Sequence, residues 1–244
     1  MKQRLDVLLV EKGLADSREK AQRLIMAGEV RVAGQKAQKS GQAVDADAML
    51  EVLARPPFVG RGGFKLAAAL AQFGIDASGK VCVDIGSSTG GFTDCLLQAG
   101  AARVHAVDVG AGQLDWKLRT DARVVLHEGI NARLLTPEDI GEVADIIVCD
   151  VSFISVTLIL PALIPLLHPE GEMVILVKPQ FEVGKGQVGK GGIVRDAMLH
   201  EAACKRVEDA VGASGFYTAV IASPILGAEG NREFLLSARR VGGQ

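Results

Sequence analysis

Past residue 80, apolar runs of strand length recur, with helical patterns between the early ones: VCVDI, ARVHAVDV, ADIIVCD, EMVILVK, FYTAVIA and FLLSARR. Few folds are open to such a chain. Runs apolar on both faces belong in a sheet covered on both sides, and strands alternating with helices become parallel neighbours because each crossover returns the chain to the same edge. The pattern predicts an α/β fold, a Rossmann-like and mostly parallel sheet with helices on both faces. A closing pair of strands is free to run antiparallel at one edge. In such a sheet the carboxyl ends of the strands face the ligand crevice, so the residues that end the runs are the first candidates for a site. Asp150 ends one run and Lys178 another, and Pro179, which follows Lys178, cannot extend a strand ladder.

The front of the chain reads as a separate small α+β module. Leu5, Leu8 and Leu9 have helical spacing, Gly13 breaks the pattern, and a second helix begins at Asp16 with Glu19 three residues on. That helix turns Ala21, Leu24 and Ile25 inward, stops near Gly28 and leaves Arg18, Lys20 and Arg23 in solvent. Val30 and Val32 then alternate with Glu29 and Arg31 as a short strand before a turn at Gly34. RPPFVGRGG, with two prolines and three glycines, reads as a linker. The expected division is 1–54, a linker at 55–62, and 63–244.

Charge supports that division weakly. The net charge is -2, but residues 1–40 hold nine Lys or Arg against five Asp or Glu, which favours an anion-binding front end. Cys82, Cys95, Cys149 and Cys204 form no CxxC pair and fit reduced core residues of a cytoplasmic protein. The start MKQRLDVLL carries charges where an export signal needs an apolar stretch. The largely apolar stretch 146–168 is interrupted by Asp150, Pro161 and Pro165, so no membrane span is expected. The four histidines lack ligand spacing, and no metal is expected.

VDIGSSTGGFTD at 83–94 is a strand, a glycine-rich turn and a helix start, where backbone N–H groups meet polar or anionic ligands. Asp108, ending the next run, lies where an acid accepts hydrogen bonds from ribose hydroxyls. A GxGxxG fingerprint needs glycines at 86, 88 and 91, but position 88 is serine, which weakens a dinucleotide reading. To this point either a dinucleotide or S-adenosylmethionine fits. Candidates for the cofactor are Asp84, Gly86, Ser87, Gly90, Gly91, Phe92 and Asp108, with Asn131 in EGINAR beside them. Phe153 suits either stacking on a cofactor or base, or packing. The glycine-rich stretch 183–196, with Lys185, Lys190 and Arg195, suits either closure over RNA or plain mobility. CDVSF lacks the prolines of an NPPY-like segment, which argues against methylation of a base amine.

RLDVLLVEKGLADSREKAQRLIMAGEVRVAG resembles, nearly end to end, the small S4-like RNA-binding fold named after a ribosomal small-subunit protein. That resemblance implies Arg4, Arg18, Lys20, Arg23 and Arg31 as contacts to RNA phosphates. Taken together, GRGGFKL, DIGSSTGGFTD, DVSFIS, VKPQFE and GNREF resemble RNA ribose 2'-O-methyltransferases related to FtsJ. With the S4-like front end the whole chain is similar to the TlyA group of ribosomal RNA methyltransferases, often labelled haemolysins. The resemblance implies S-adenosylmethionine as cofactor, bound partly through Asp84 at its methionine end, and ribosomal RNA or ribosomal subunits as partner. It also implies a catalytic tetrad of Lys65, Asp150, Lys178 and Glu233. Lys178 is then the general base for a ribose hydroxyl, with Asp150 orienting its amine and Lys65 and Glu233 completing the frame. An ordinary lysine is protonated at neutral pH, so such a role needs surroundings that favour the free amine. The linker RPPF has no tryptophan where some members carry one, so no linker mechanism is carried over. The rival reading is a non-catalytic RNA-binding protein with a degenerate methyltransferase domain, and the intact tetrad argues against it. Membrane lysis finds no support in the residues.

Overall fold

The computed structural model describes residues 2–53, 57–227 and 229–240. The chain forms two compact units, Met1–Pro57 and Phe58–Gln244. Of the expected linker, residues 55 and 56 lie outside the described residues. Phe58 and Val59 pack within the second unit: the Phe58 ring meets Phe64 edge-on at 5.5 Å, and the Val59 amide donates to Asp94 at 2.9 Å.

The first unit runs β1 (Lys2–Arg4), α1 (Leu5–Glu11), α2 (Arg18–Met26), β2 (Val30–Val32), β3 (Gln35–Lys36), β4 (Ala43–Asp45) and β5 (Leu50–Val52). Strand β1 pairs with β4, while β2 lies between β3 and β5, all antiparallel. Leu5, Leu8 and Leu9 of α1 bury against Ala21, Leu24 and Ile25 of α2. The second helix starts one residue later than the sequence suggested. Ser17, in extended backbone, accepts the Lys20 amide and is the N-cap, because a hydroxyl there satisfies a free amide that Asp16 does not reach.

The second unit opens with α3 (Gly62–Phe73), β6 (Val81–Ile85), α4 (Gly91–Gln98), β7 (Arg103–Asp108), α5 (Trp116–Arg119) and β8 (Val124–Glu128). It continues with α6 (Pro137–Ile140), β9 (Ala144–Cys149), α7 (Leu160–Leu163), β10 (Leu167–Val177), α8 (Pro179–Glu182), α9 (Ala197–Gly212), β11 (Phe216–Ala222) and β12 (Phe234–Arg240). The seven-stranded sheet has the order β11-β12-β10-β9-β6-β7-β8. Strands β10 through β8 are parallel neighbours, and β12 is antiparallel to both β10 and β11. The expected antiparallel pair is therefore present, with the last strand inserted one place inside the edge. Strand β10 begins earlier than the apolar run implied, at Leu167, with a register irregularity before Glu172. The stretch 146–168 resolves into a strand end, turns and short helices, and no helix among the described residues is long and apolar enough to cross a membrane.

Side-chain alternation divides the core in two. Val83, Ile85, Ile147, Met173 and Ile175 face α7 and α9, whose Leu160, Leu163, Val207 and Val211 cover them. Cys82, Ile146, Val148, Val174 and Leu176 face α3 and α4, meeting Leu66, Leu70 and Leu96. In β12, which runs the other way, Leu235 joins this second face. Because β7 and β8 lie on one side of β6 and β9 and β10 on the other, the strand order reverses between β6 and β9, which opens the crevice beyond their carboxyl ends.

Candidate functional site: four charged side chains at the sheet edge

The same alternation delivers the charged residues. Asp150 and Lys178 directly follow β9 and β10 and continue the phase of Val148 and Leu176, while Glu233 precedes β12 in the phase of Leu235. All three point toward the face covered by α3, and α3 supplies Lys65 from its first turn. The reversed direction of β12 is what brings its leading end to the trailing ends of β9 and β10. Close approach of α3 to α4 completes the placement: a Cβ on Gly91 stands 3.0 Å from the Gly63 backbone nitrogen, so only glycine lets the two helix starts meet.

The four side chains form two ion pairs. Lys65 Nζ lies 2.5 Å from Glu233 Oε2, both groups buried. Lys178 Nζ lies 2.6 Å from Asp150 Oδ1 and donates its directional hydrogen bond to Ser152 Oγ at 2.8 Å. All four, with Ser152 and Gln180, line one cavity of about 560 Å³. The arrangement holds a lysine amine beside a carboxylate and a hydroxyl at the wall of an open chamber.

The glycine-rich turn forms another wall. Gly86, at φ 83°, has no room for a side chain, since a Cβ there stands 2.4 Å from the Asp150 carbonyl oxygen. Ser87, Gly91 and Phe92 line the same cavity, with α4 starting after Gly90. The Asp108 carboxylate ties the turn to the next loop, accepting the Ser88 amide at 2.8 Å and the Gly110 amide at 2.7 Å. A second cavity of about 490 Å³ is lined by Asp108, Asn131 and the apolar Val107, Ile130 and Val151. Gly86, Asp150, Ser152 and Phe153 line both chambers.

Asp84 is fully buried beneath the turn and lines neither chamber. Thr93 Oγ1 donates to its Oδ2 at 2.6 Å, while Oδ1 has no partner, and the buried Ser87 Oγ has none either. Burial pushes the Asp84 carboxyl up to about 7, against the opposing pull of the Thr93 hydrogen bond.

Two contributors were not anticipated from the sequence. Ser152 carries the hydrogen bond to Lys178, and buried Glu182 braces the loop behind it, accepting Ser155 Oγ at 2.5 Å and the Val156 amide at 2.8 Å. Glu182 thereby links the segment after β9 to the segment after β10. Both residues sit in stretches already singled out, DVSFIS and VKPQFE, but a glutamate in the first turn of a helix reads as a cap rather than as a tertiary brace.

In the first unit Arg4, Arg18, Lys20, Arg23 and Arg31 are all exposed. Arg4 and Arg18 converge on buried Asp6, whereas Lys20, Arg23 and Arg31 make no ion pair among the described residues.

A doubly covered, mostly parallel sheet with a glycine turn after its first strand and a charged cluster at its carboxyl edge defines the class of α/β methyltransferases. The model of the FtsJ-like methyltransferase family matches residues 58–240, and that of the S4 domain matches residues 3–50. The chain belongs to the FtsJ-like methyltransferases and carries an S4 domain at its front. It is 48% identical over 239 residues to the 16S/23S rRNA (cytidine-2'-O)-methyltransferase TlyA of Mycobacterium tuberculosis, covering 97% of this chain and 89% of the relative. It is 44% identical over 234 residues to Hemolysin A of Brachyspira hyodysenteriae, covering 95% and 98%. A solved structure from Streptococcus thermophilus that bears a hemolysin label is 43% identical, with a TM-score of 0.75 over 100% of this chain and 90% of that one.

Proposed function

We propose that the protein transfers a methyl group from S-adenosylmethionine to a ribose 2'-hydroxyl of ribosomal RNA, with Lys178 as general base. The observation that carries this reading is the convergence of Lys65, Asp150, Lys178 and Glu233 on one chamber next to the glycine-rich turn. RNA recognition is assigned to residues 1–54 and methyl transfer to the unit that begins at Phe58, so that of the expected linker 55–62 the part from Phe58 on belongs to the catalytic unit. A cytoplasmic location fits the four buried free thiols.

The residues present fit S-adenosylmethionine. Ser87 Oγ, unpartnered at the wall of the first chamber, suits the polar amino-acid end, and the unpartnered Asp84 Oδ1 lies enclosed beneath the same turn, where burial is costly unless something offsets it. Asp108 retains lone pairs for a ribose diol, and the apolar walls of the second cavity suit a purine. When bound, the sulfonium supplies an electrophilic methyl group. Lys178, after its ammonium has given its own proton to solvent, takes as the free amine the proton of the attacking hydroxyl, Asp150 and Ser152 aim that amine, and the Lys65–Glu233 pair holds α3 and β12 in register beside it.

The decisive experiment incubates the protein with labelled cofactor and separated ribosomal subunits. Transfer is expected at ribose, seen as a phosphodiester resistant to alkali; label confined to bases overturns the reading.

Asp84 makes cofactor affinity depend on pH. A carboxyl lifted to about 7 is largely protonated at pH 6 and ionised at pH 8, and the net positive charge of the cofactor, with its sulfonium and α-ammonium, favours the ionised form. Affinity is therefore expected to fall roughly tenfold from pH 8 to pH 6, and Asp84→Asn to abolish that slope. Calorimetric titration across this range reads it directly.

Phe153 has φ 66° and is 91% exposed, its ring 5.3 Å from that of Phe181 at the mouth of both chambers. A left-handed non-glycine residue costs about 1–3 kcal/mol, and aromatic exposure adds to the burden. We assign Phe153 to stacking on the target nucleotide's base. Phe153→Ala is expected to lower kcat/KM for RNA by roughly 10- to 100-fold, in line with about 1–3 kcal/mol per stacked base, with cofactor binding unchanged; an equal loss in cofactor affinity assigns the ring to the cofactor instead.

A further inference from the structure

The first unit holds a buried carboxylate whose partners face outward. Asp6, in the first turn of α1, is completely enclosed. Arg4 donates from Nε to its Oδ1 at 3.0 Å and from Nη2 to its Oδ2 at 2.9 Å. Arg18 Nη2 and Gln22 Nε2 donate to the same Oδ2 at 3.2 and 2.9 Å. The two arginine side chains nonetheless remain 53% and 56% exposed. Arg4 thus spends its Nε–Nη2 edge on Asp6 and Arg18 a single N–H, which leaves further donors on both exposed guanidiniums unused by Asp6. Hydrogen bonding from Arg4 holds the Asp6 carboxyl well below the usual carboxylate range, so it stays ionised at working pH.

Two guanidiniums meeting at a single oxygen atom repel each other, and each loses rotamer freedom when it is held. An enclosed carboxylate offsets the repulsion and fixes both before any ligand arrives. Resting on the RNA-binding reading of this unit, we propose that Asp6 is a positioning residue that presents Arg4 and Arg18 as one preformed two-guanidinium cradle for an RNA backbone phosphate. Asp6 itself touches no RNA.

The sign of the expected effect separates this from simple charge attraction. Asp6→Asn raises the net charge by one, which strengthens RNA binding if charge alone matters. If positioning matters, the same variant binds more weakly, by roughly five- to tenfold for two side chains that must now be ordered on binding. The measurement is fluorescence anisotropy of the full-length protein with 16S and 23S RNA transcribed in vitro, at two salt concentrations. Weaker binding with an unchanged salt slope is expected; binding as tight as wild type or tighter overturns the proposal. A second variant, Arg4→Lys with Arg18→Lys, preserves every charge and leaves Asp6 in place but removes the planar forks. It is expected to lose affinity likewise, and it decides the matter should Asp6→Asn lose the amide protection of α1 and α2. Wild-type affinity in this variant overturns the proposal. Arg4→Ala with Arg18→Ala separates the two ways to fail. Undiminished binding there removes this surface from RNA recognition and Asp6 with it; weakened binding alongside a normal Asp6→Asn removes the Asp6 inference alone.

Discussion

Lys178→Ala is expected to lower kcat for methyl transfer by about 10²- to 10⁴-fold, the usual contribution of a positioned base, while the dissociation constant for S-adenosylmethionine stays within about twofold. The separation follows from placement. Lys178 lines the chamber shared with Lys65 and Glu233 but not the second chamber, which Asp108 and Asn131 line. Removing its amine leaves the glycine turn and its close packing against the Asp150 carbonyl in place. Lys178→Arg sharpens the test, because a guanidinium carries a positive charge beside Asp150 yet never loses the proton that a base must first shed. Both variants are expected to be inactive if the amine is a base. Turnover retained by the arginine variant, measured under single-turnover conditions, assigns the residue to charge stabilisation instead.

Glu233→Ala is the substitution with the largest expected cost in stability. Lys65 is only 7% exposed and Glu233 5%, so truncating the acid strands an ammonium in the interior, which costs about 3–5 kcal/mol. For a unit of this size that lowers the thermal midpoint by roughly 10 °C. Replacing both partners at once, Lys65→Met with Glu233→Leu, removes the uncompensated charge and is expected to recover most of the loss. The double variant stays inactive if the pair serves the chemistry, and a thermal melt paired with a methyl-transfer assay separates the two outcomes. Recovery of activity along with stability reduces the pair to a structural clasp.

Much of this was legible in the residues because the signals were local. Alternating apolar runs revealed the parallel sheet, and the strand-ending positions of Asp150 and Lys178 marked the edge where they stand. Helix α2 misled by one residue because Asp16 and Ser17 are both good caps, and only backbone geometry chooses between them. The partners of the charges were beyond reach of spacing. Nothing local pairs Lys65 with Glu233 across most of the chain, or sends Glu182 back to Ser155. Asp6 was invisible for the same reason: in RLDVLLVE it reads as an ordinary acid of a helix start, and its burial depends on Gln22 and Arg18 arriving from the next helix.

The insertion of β12 between β10 and β11 bears on when during synthesis the protein becomes competent. Both of its neighbours leave the ribosome before it does, and it must settle between two segments already made. A nascent chain stopped short of residue 233 holds Lys65 without its counter-ion and a sheet with its penultimate place vacant. The Lys65–Glu233 pair, and with it the complete charged cluster, therefore forms only once translation has passed that strand.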